Sequence, residues 1–208
     1  MRQSLEAASP VAVVSAEQEN LGDLKLYRIP IAVTVAARSQ KQVALLEQPR
    51  ARFDSRYRWD SSFANASGPR PAQRVVKMDN RKGNGLGLPL PAGSFTLFAM
   101  RDGQPFLLGE GQMTDRAVGE LVEVVLADTP GVEVEQRQIA RPGKDRETIL
   151  IATNDQPVEA RLEVRFGDDI KPRKVNGGSV KRRDGKWIWE GTIPANSSRT
   201  FTVRFSSD

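Results

Sequence analysis

Residues 83–100, GNGLGLPLPAGSFTLFAM, decide the fold. Gly83, Gly85 and Gly87 give the start of this stretch the look of a phosphate-cradling loop. Such a loop needs a strand before it and a helix after it, so that the helix N-terminus faces the phosphate. Pro89 and Pro91 follow instead, and Pro91 would break a helix at once. The Lys-Ser/Thr pair of a P-loop is missing as well. The stretch therefore reads as a β-turn with positive-φ glycines, then a tight corner at residues 92–94, then an apolar strand over 95–100. Mutation of the Pro91-Ala92-Gly93 corner is expected to cost stability before function.

The same grammar extends both ways along the chain. Between Arg50 and Trp59 the residues alternate: Ala51, Phe53, Ser55, Tyr57 and Trp59 on one face, Arg50, Arg52, Asp54, Arg56 and Arg58 on the other. A period of two makes this a half-buried strand with an arginine ladder outward. Residues 43–46 form another short apolar run, residues 60–72 read as a loop, and Gln73 to Asn80 as a strand. Asp102-Gly103 between apolar runs signals a hairpin. Further strands are expected at 121–127, 132–140, 146–153, 158–166, 186–193 and 199–205. A strand-corner-strand pattern recurs at residues 34–43, 90–97 and 192–201, at unequal spacing, as edges of sandwiches and not as a solenoid.

No segment keeps a helical period. The expected fold is all-β: two immunoglobulin-like β-sandwich modules in tandem, with little or no helix. Residues 1–23 read as a flexible lead-in, 24–129 as the first module and 130–208 as the second, with Asp128-Thr129-Pro130-Gly131 as the boundary. The lead-in lacks a signal peptide of the usual form. No run approaches the roughly 20 apolar residues that span a bilayer.

Composition narrows the chemistry. The 208 residues include no Cys and no His. That removes disulfides, thiolate nucleophiles, the usual zinc ligands and the Ser-His-Asp triad. An enzyme here would have to use carboxylates, Lys, Ser/Thr, Tyr or an oxygen-held metal. Asp168 and Asp169 are adjacent and would point to opposite faces of a strand, no calcium-loop pattern occurs, and Ser179-Val180-Lys181 lacks the Ser-x-x-Lys spacing. No catalytic residue, cofactor or metal site is assigned.

Charge gives the binding candidates. The net charge is +5, with an isoelectric point near 9.7. Residues 171–186 hold seven basic residues against one acid, and residues 101–136 hold two basic against eight acidic. The candidate anion or partner surface comprises Arg50, Arg52, Arg56, Arg58, Lys171, Arg173, Lys174, Lys181, Arg182 and Arg183. The plainer reading is that such surfaces neutralise one another across strands or are solvated. Nucleic acid is not the expected partner, because the basic residues lack interleaved surface aromatics. Trp187 and Trp189 share one face of a strand, with Ile188 opposite, so they form either a sugar-stacking platform or part of the core.

The motif order resembles a known family. Residues 33–46, VTVAARSQKQVALL, resemble the opening of the bacterial domain of unknown function 4139, the C-terminal half of mucoidy-inhibitor-like proteins. GLPLPAG at 87–93, FLLGEG at 106–111, VGE at 118–120 and IATN at 151–154 resemble its later signatures. The usual family Asn at the first corner is Arg38 here. The resemblance implies a C-terminal part of a longer exported protein, in the periplasm or cell envelope, with no catalytic residues to carry over. The expected role is a non-enzymatic envelope module that interacts with a protein or an anionic polymer. The alternative is a carboxylate-dependent hydrolase acting on envelope polysaccharide, which needs two carboxylates about 5 to 10 Å apart in a cleft.

Overall fold

The computed structural model describes residues 17–21, 24–28, 32, 34–35, 37–39, 48, 50–61, 66–126, 131–140, 145–167 and 171–206. Most of the expected lead-in, the apolar run at 43–46 and residues 128–130 of the expected boundary lie outside them. The chain forms two compact units, Met1–Arg50 and Ala51–Asp208. In the first, β1 (Glu17–Leu21) pairs antiparallel with β2 (Leu24–Arg28).

Among the described residues the second unit carries thirteen strands: β3 (Phe53–Ser61), β4 (Ser67–Pro71), β5 (Gln73–Asp79), β6 (Gly93–Arg101), β7 (Gln104–Met113), β8 (Leu121–Val125), β9 (Val132–Ala140), β10 (Asp145–Asn154), β11 (Ala160–Phe166), β12 (Lys171–Val175), β13 (Val180–Arg183), β14 (Lys186–Ile193) and β15 (Ser197–Ser206). Among the described residues the one helical element is a 3-10 turn at Lys82–Asn84. One sheet has six strands in the order β13-β14-β11-β3-β5-β8, another five in the order β12-β15-β10-β9-β4, and β6-β7 form a separate hairpin. The all-β expectation holds.

The two larger sheets pack face to face because the alternate residues of their strands are apolar. Leu162, Val164, Phe166, Trp189 and Ile193 of the six-stranded sheet meet Val134, Leu150, Phe201, Val203 and Phe205 of the other in one buried cluster. Trp189 stacks on Phe201 with ring centroids 4.3 Å apart and planes 14° from parallel.

Strands from both sides of residues 128–131 share this sandwich. β3 pairs in parallel with β11, and β4 pairs with β9. The expected boundary therefore falls inside one two-sheet unit, and the compact units separate at Arg50/Ala51 instead. Pro and Gly end a strand as readily as they end a domain. The parallel pair inside the six-stranded sheet also departs from the antiparallel immunoglobulin pattern. The loop expected over 60–72 contains β4. Two prolines hid it, but it is an edge strand, where proline is tolerated. The basic stretch 171–186 splits into β12 and β13, which belong to different sheets.

The glycine-rich stretch is the turn that the sequence suggests. Gly85 and Gly87 have φ of 82° and 87°. A Cβ on Gly87 would stand 2.7 Å from the Lys82 nitrogen. Asn80, fully buried, organises the turn. Its Nδ2 donates to the carbonyls of Leu88 at 2.7 Å and Ala117 at 2.9 Å, and its Oδ1 accepts from the amides of Gly87 at 3.0 Å and Leu88 at 3.3 Å. The hairpin signal also holds, with Asp102 and Gly103 at φ 51° and 75° between β6 and β7.

Candidate functional site

The outward face of the six-stranded sheet is charged because its strands alternate. On β3, Tyr57 and Trp59 turn to the core while Asp54, Arg56 and Arg58 turn outward. On β11, Leu162, Val164 and Phe166 turn inward while Arg161, Glu163 and Arg165 turn outward. Register then aligns the charges. Glu163 sits beside Arg58 across the parallel pair and beside Glu190 on β14. Lys77 on β5 sits between Asp54 and Glu123 on β8.

Glu163 is the centre. Its side chain has no solvent exposure, although the face it belongs to points away from the core. The side chains of Arg56, Arg58, Lys77 and Arg165 crowd around it. Its Oε1 accepts from Arg58 Nε at 3.1 Å and Arg165 Nε at 2.8 Å. Its Oε2 accepts from Lys77 Nζ at 2.7 Å and Arg56 Nη1 at 3.4 Å. Glu123 bridges Arg58 at 2.7 Å, Arg165 at 3.3 Å and Lys77 at 3.4 Å. Glu190 holds Arg56 at 2.8 Å and Arg183 at 3.2 Å. Asp54 pairs with Arg161 at 3.0 Å and also with Arg56.

Six cations (Arg56, Arg58, Lys77, Arg161, Arg165 and Arg183) thus surround four carboxylates. Burial by itself would raise the Glu163 pKa, but the hydrogen bonds and charges of Lys77, Arg165 and Arg58 overcome it and hold the carboxyl at about 2. The same contest lowers Glu123, where Arg58 outweighs burial, and Asp54, where Arg56 does. Arg56 and Arg58 are raised in turn: burial opposes their charge, and their carboxylate partners prevail. The Nη2 of Arg58 is buried and has no hydrogen-bond partner among the described residues.

An open groove of about 450 Å³ lies on this face. Arg56, Lys77, Arg165 and Arg183 of the cluster line it together with Arg52, beside the carboxylates of Asp54, Glu123, Asp79 and Asp184. Phe53 and Leu121, 54% and 56% exposed, add apolar surface.

The sequence candidates scatter. Arg56, Arg58 and Arg183 come together in the cluster, and Arg52 lines the groove with Arg56 and Arg183. Arg50 belongs to the other compact unit. Lys171, Arg173 and Lys174 lie on β12, in the five-stranded sheet, and their side chains lie outside the described residues. Lys181 is exposed on β13. Arg182 donates to the Gly185 carbonyl at 3.2 Å and lies 5.9 Å over the Trp187 ring. The arginine ladder is thus no solvated array, since Arg58 is only 4% exposed. The sugar platform is corrected too: Trp189 is fully buried and Trp187 is partly buried against the core. Sequence reasoning missed Glu163, Lys77, Arg165 and Glu190. The signal lay in ARLEVRF at 160–166, whose charged residues occupy every second position between apolar ones.

Among the described residues no group of three or more acidic side chains could hold a metal ion, and no helix is long and apolar enough to cross a membrane. Fold and site define a two-sheet β-sandwich with a cation-rich, ion-paired outer face. No family model matches the chain, and no curated protein matches it. Among solved structures, the NMR structure of the folded domain of LppM from Mycobacterium tuberculosis is similar over 80% of this chain and 97% of that one, at 12% identity and a TM-score of 0.31. A likeness that loose defines neither fold nor role.

Proposed function

We propose that this chain is a non-enzymatic binding module that takes an anionic polymer along the groove on its six-stranded sheet. The observation that carries this reading is the excess of cations over carboxylates around Glu163. Arginines fixed by strand register and by a buried carboxylate meet a ligand with little loss of side-chain freedom. Phe53 and Leu121 offer the apolar strip that a polymer backbone needs beside its charges. The envelope setting and kinship with the domain of unknown function 4139 belong to the same proposal and rest on motif order alone.

The hydrolase reading has less support. It needs a carboxylic acid whose pKa is raised enough to donate a proton near neutral pH. Asp54, Glu123 and Glu163 are all shifted the other way.

Dextran sulfate, with uncharged dextran as control, tests the groove. The chain should retain dextran sulfate alone, and less of it as salt rises. Arg52→Glu with Arg183→Glu should lower affinity at least about tenfold. Arg101→Glu with Arg137→Glu makes the same change in net charge on the hairpin and the five-stranded sheet, and should do much less. Equal losses from both pairs would reduce the effect to net charge and remove the groove as the site.

A further inference from the structure

The β6-β7 hairpin changes character half-way along. At its base Leu97 is buried, Gly111 bridges Leu126, and a Cβ on Gly111 would run into the Val125 carbonyl. Beyond the register shift at Leu97/Phe98, the side chains of Phe98, Met100, Phe106 and Leu107 are 53%, 68%, 52% and 57% exposed. Phe98 pairs with Leu107 and Met100 with Pro105, so these four share one face. Ala99 pairs with Phe106, which places Phe106 on the other. Between residues 98 and 109 only Arg101 and Asp102 are charged, and they cancel.

We propose that the distal half of this hairpin is a membrane-docking arm that enters the interfacial zone of a lipid bilayer. A protein partner covers one face of a two-stranded hairpin and leaves the other wet. A bilayer surrounds both, and here both are apolar. A second copy of the chain is a poor occupant. Four half-exposed side chains present roughly 400 Å² in total, divided between two faces, whereas a stable interface needs about 800 Å² per partner. Depth agrees with this choice. Residues 98–101 extend about 13 Å, which suits insertion of about 5–10 Å at the headgroup and acyl boundary. The outer edges of a two-stranded hairpin carry unpaired backbone groups that the hydrocarbon core would not accept, so insertion stops at that boundary. The arm does not depend on the anion-binding reading, because its tip is uncharged overall.

The absence of Cys allows unique labelling. Phe98→Cys and Phe106→Cys, each carrying an environment-sensitive nitrobenzoxadiazole dye, report the two faces. Glu110→Cys reports the exposed, held half of β7. With phosphatidylcholine vesicles, emission should brighten and shift to the blue at 98 and at 106, but not at 110. Phe98→Ser with Phe106→Ser should lower vesicle co-sedimentation at least about tenfold, while the unfolding transition of the sandwich stays in place. Three results would overturn the arm: no co-sedimentation of the unaltered chain, a response on one face only, or a dimer that the serine pair dissolves without any binding to vesicles.

Discussion

Glu163 and Arg58 lie side by side on neighbouring parallel strands, Oε1 3.1 Å from Nε, and both are withdrawn from water on the sheet face that points away from the core. A buried ion pair of this kind adds little net stability over an apolar substitute, yet losing one partner strands the other's charge. Glu163→Gln strands part of four cations at once. We expect it to cost about 3–5 kcal/mol in urea unfolding at neutral pH. The folded pKa of about 2 lies below the ordinary value of 4.5, so the stability that ionised Glu163 contributes is complete above pH 4.5 and is lost as pH falls toward 2. The gap between the unaltered chain and Glu163→Gln should therefore narrow across that window. A gap that is constant with pH would mean that the charge of Glu163 does not stabilise the fold.

The stretch before β6 depends on Gly87 of the turn and not on Gly93 of the corner expected to be sensitive. Gly93 has open space where a Cβ would stand, whereas a Cβ on Gly87 would meet the Lys82 backbone, at a φ of +87°. Gly93→Ala should change stability by less than about 0.5 kcal/mol. Gly87→Ala should cost about 1–3 kcal/mol and disturb the amides that Asn80 holds. Thermal unfolding of the two variants ranks them, and the reverse order would contradict the turn geometry.

Trp187 and Trp189 separate by the same test. Trp189 is fully buried against Phe201, so Trp189→Ala should cost about 3–5 kcal/mol. Trp187 is partly covered, by Arg182 on one side, and Trp187→Ala should cost less than about 2 kcal/mol. Neither change should reveal a sugar-binding role. Weaker retention of an uncharged glucan by Trp187→Ala at unchanged stability would restore the aromatic platform.

The alternation in β3 was readable because local sequence carries a strand's period, and Asp102-Gly103 was readable because only a few residues accept φ above zero at both turn positions. The charged cluster was not readable. It forms because β11 returns beside β3 at a sequence separation of 105 between Arg58 and Glu163, and nothing local encodes the register of that meeting. Period two correctly sends Glu163 outward, but it equates outward with wet. The four cationic side chains of Arg56, Arg58, Lys77 and Arg165, gathered on one carboxylate, break that equation. The supposed boundary at 128–131 misled for a related reason: turn chemistry records that a strand ends, not which sheet the next strand joins.

Gly111 ties the hairpin to the sandwich, and its loss should free one without unfolding the other. A Cβ there would meet the Val125 carbonyl and the Val124 side chain, so Gly111→Ala must push β7 away from β8 or shift β8 itself. β8 is the last strand of its sheet and is held on its other side by β5 through five residue pairs, while among the described residues the hairpin is paired at this point by the Gly111–Leu126 bridge. The weaker attachment should yield. Amide exchange in β6 and β7 should quicken, with β3, β11 and β14 unchanged, since opening confined to a peripheral element costs less than global unfolding. Uniformly faster exchange across the sandwich would show that the hairpin base is part of the core's cooperative unit. Unchanged exchange in β6 and β7 would show that the close approach of Gly111 to β8 is not what holds the hairpin.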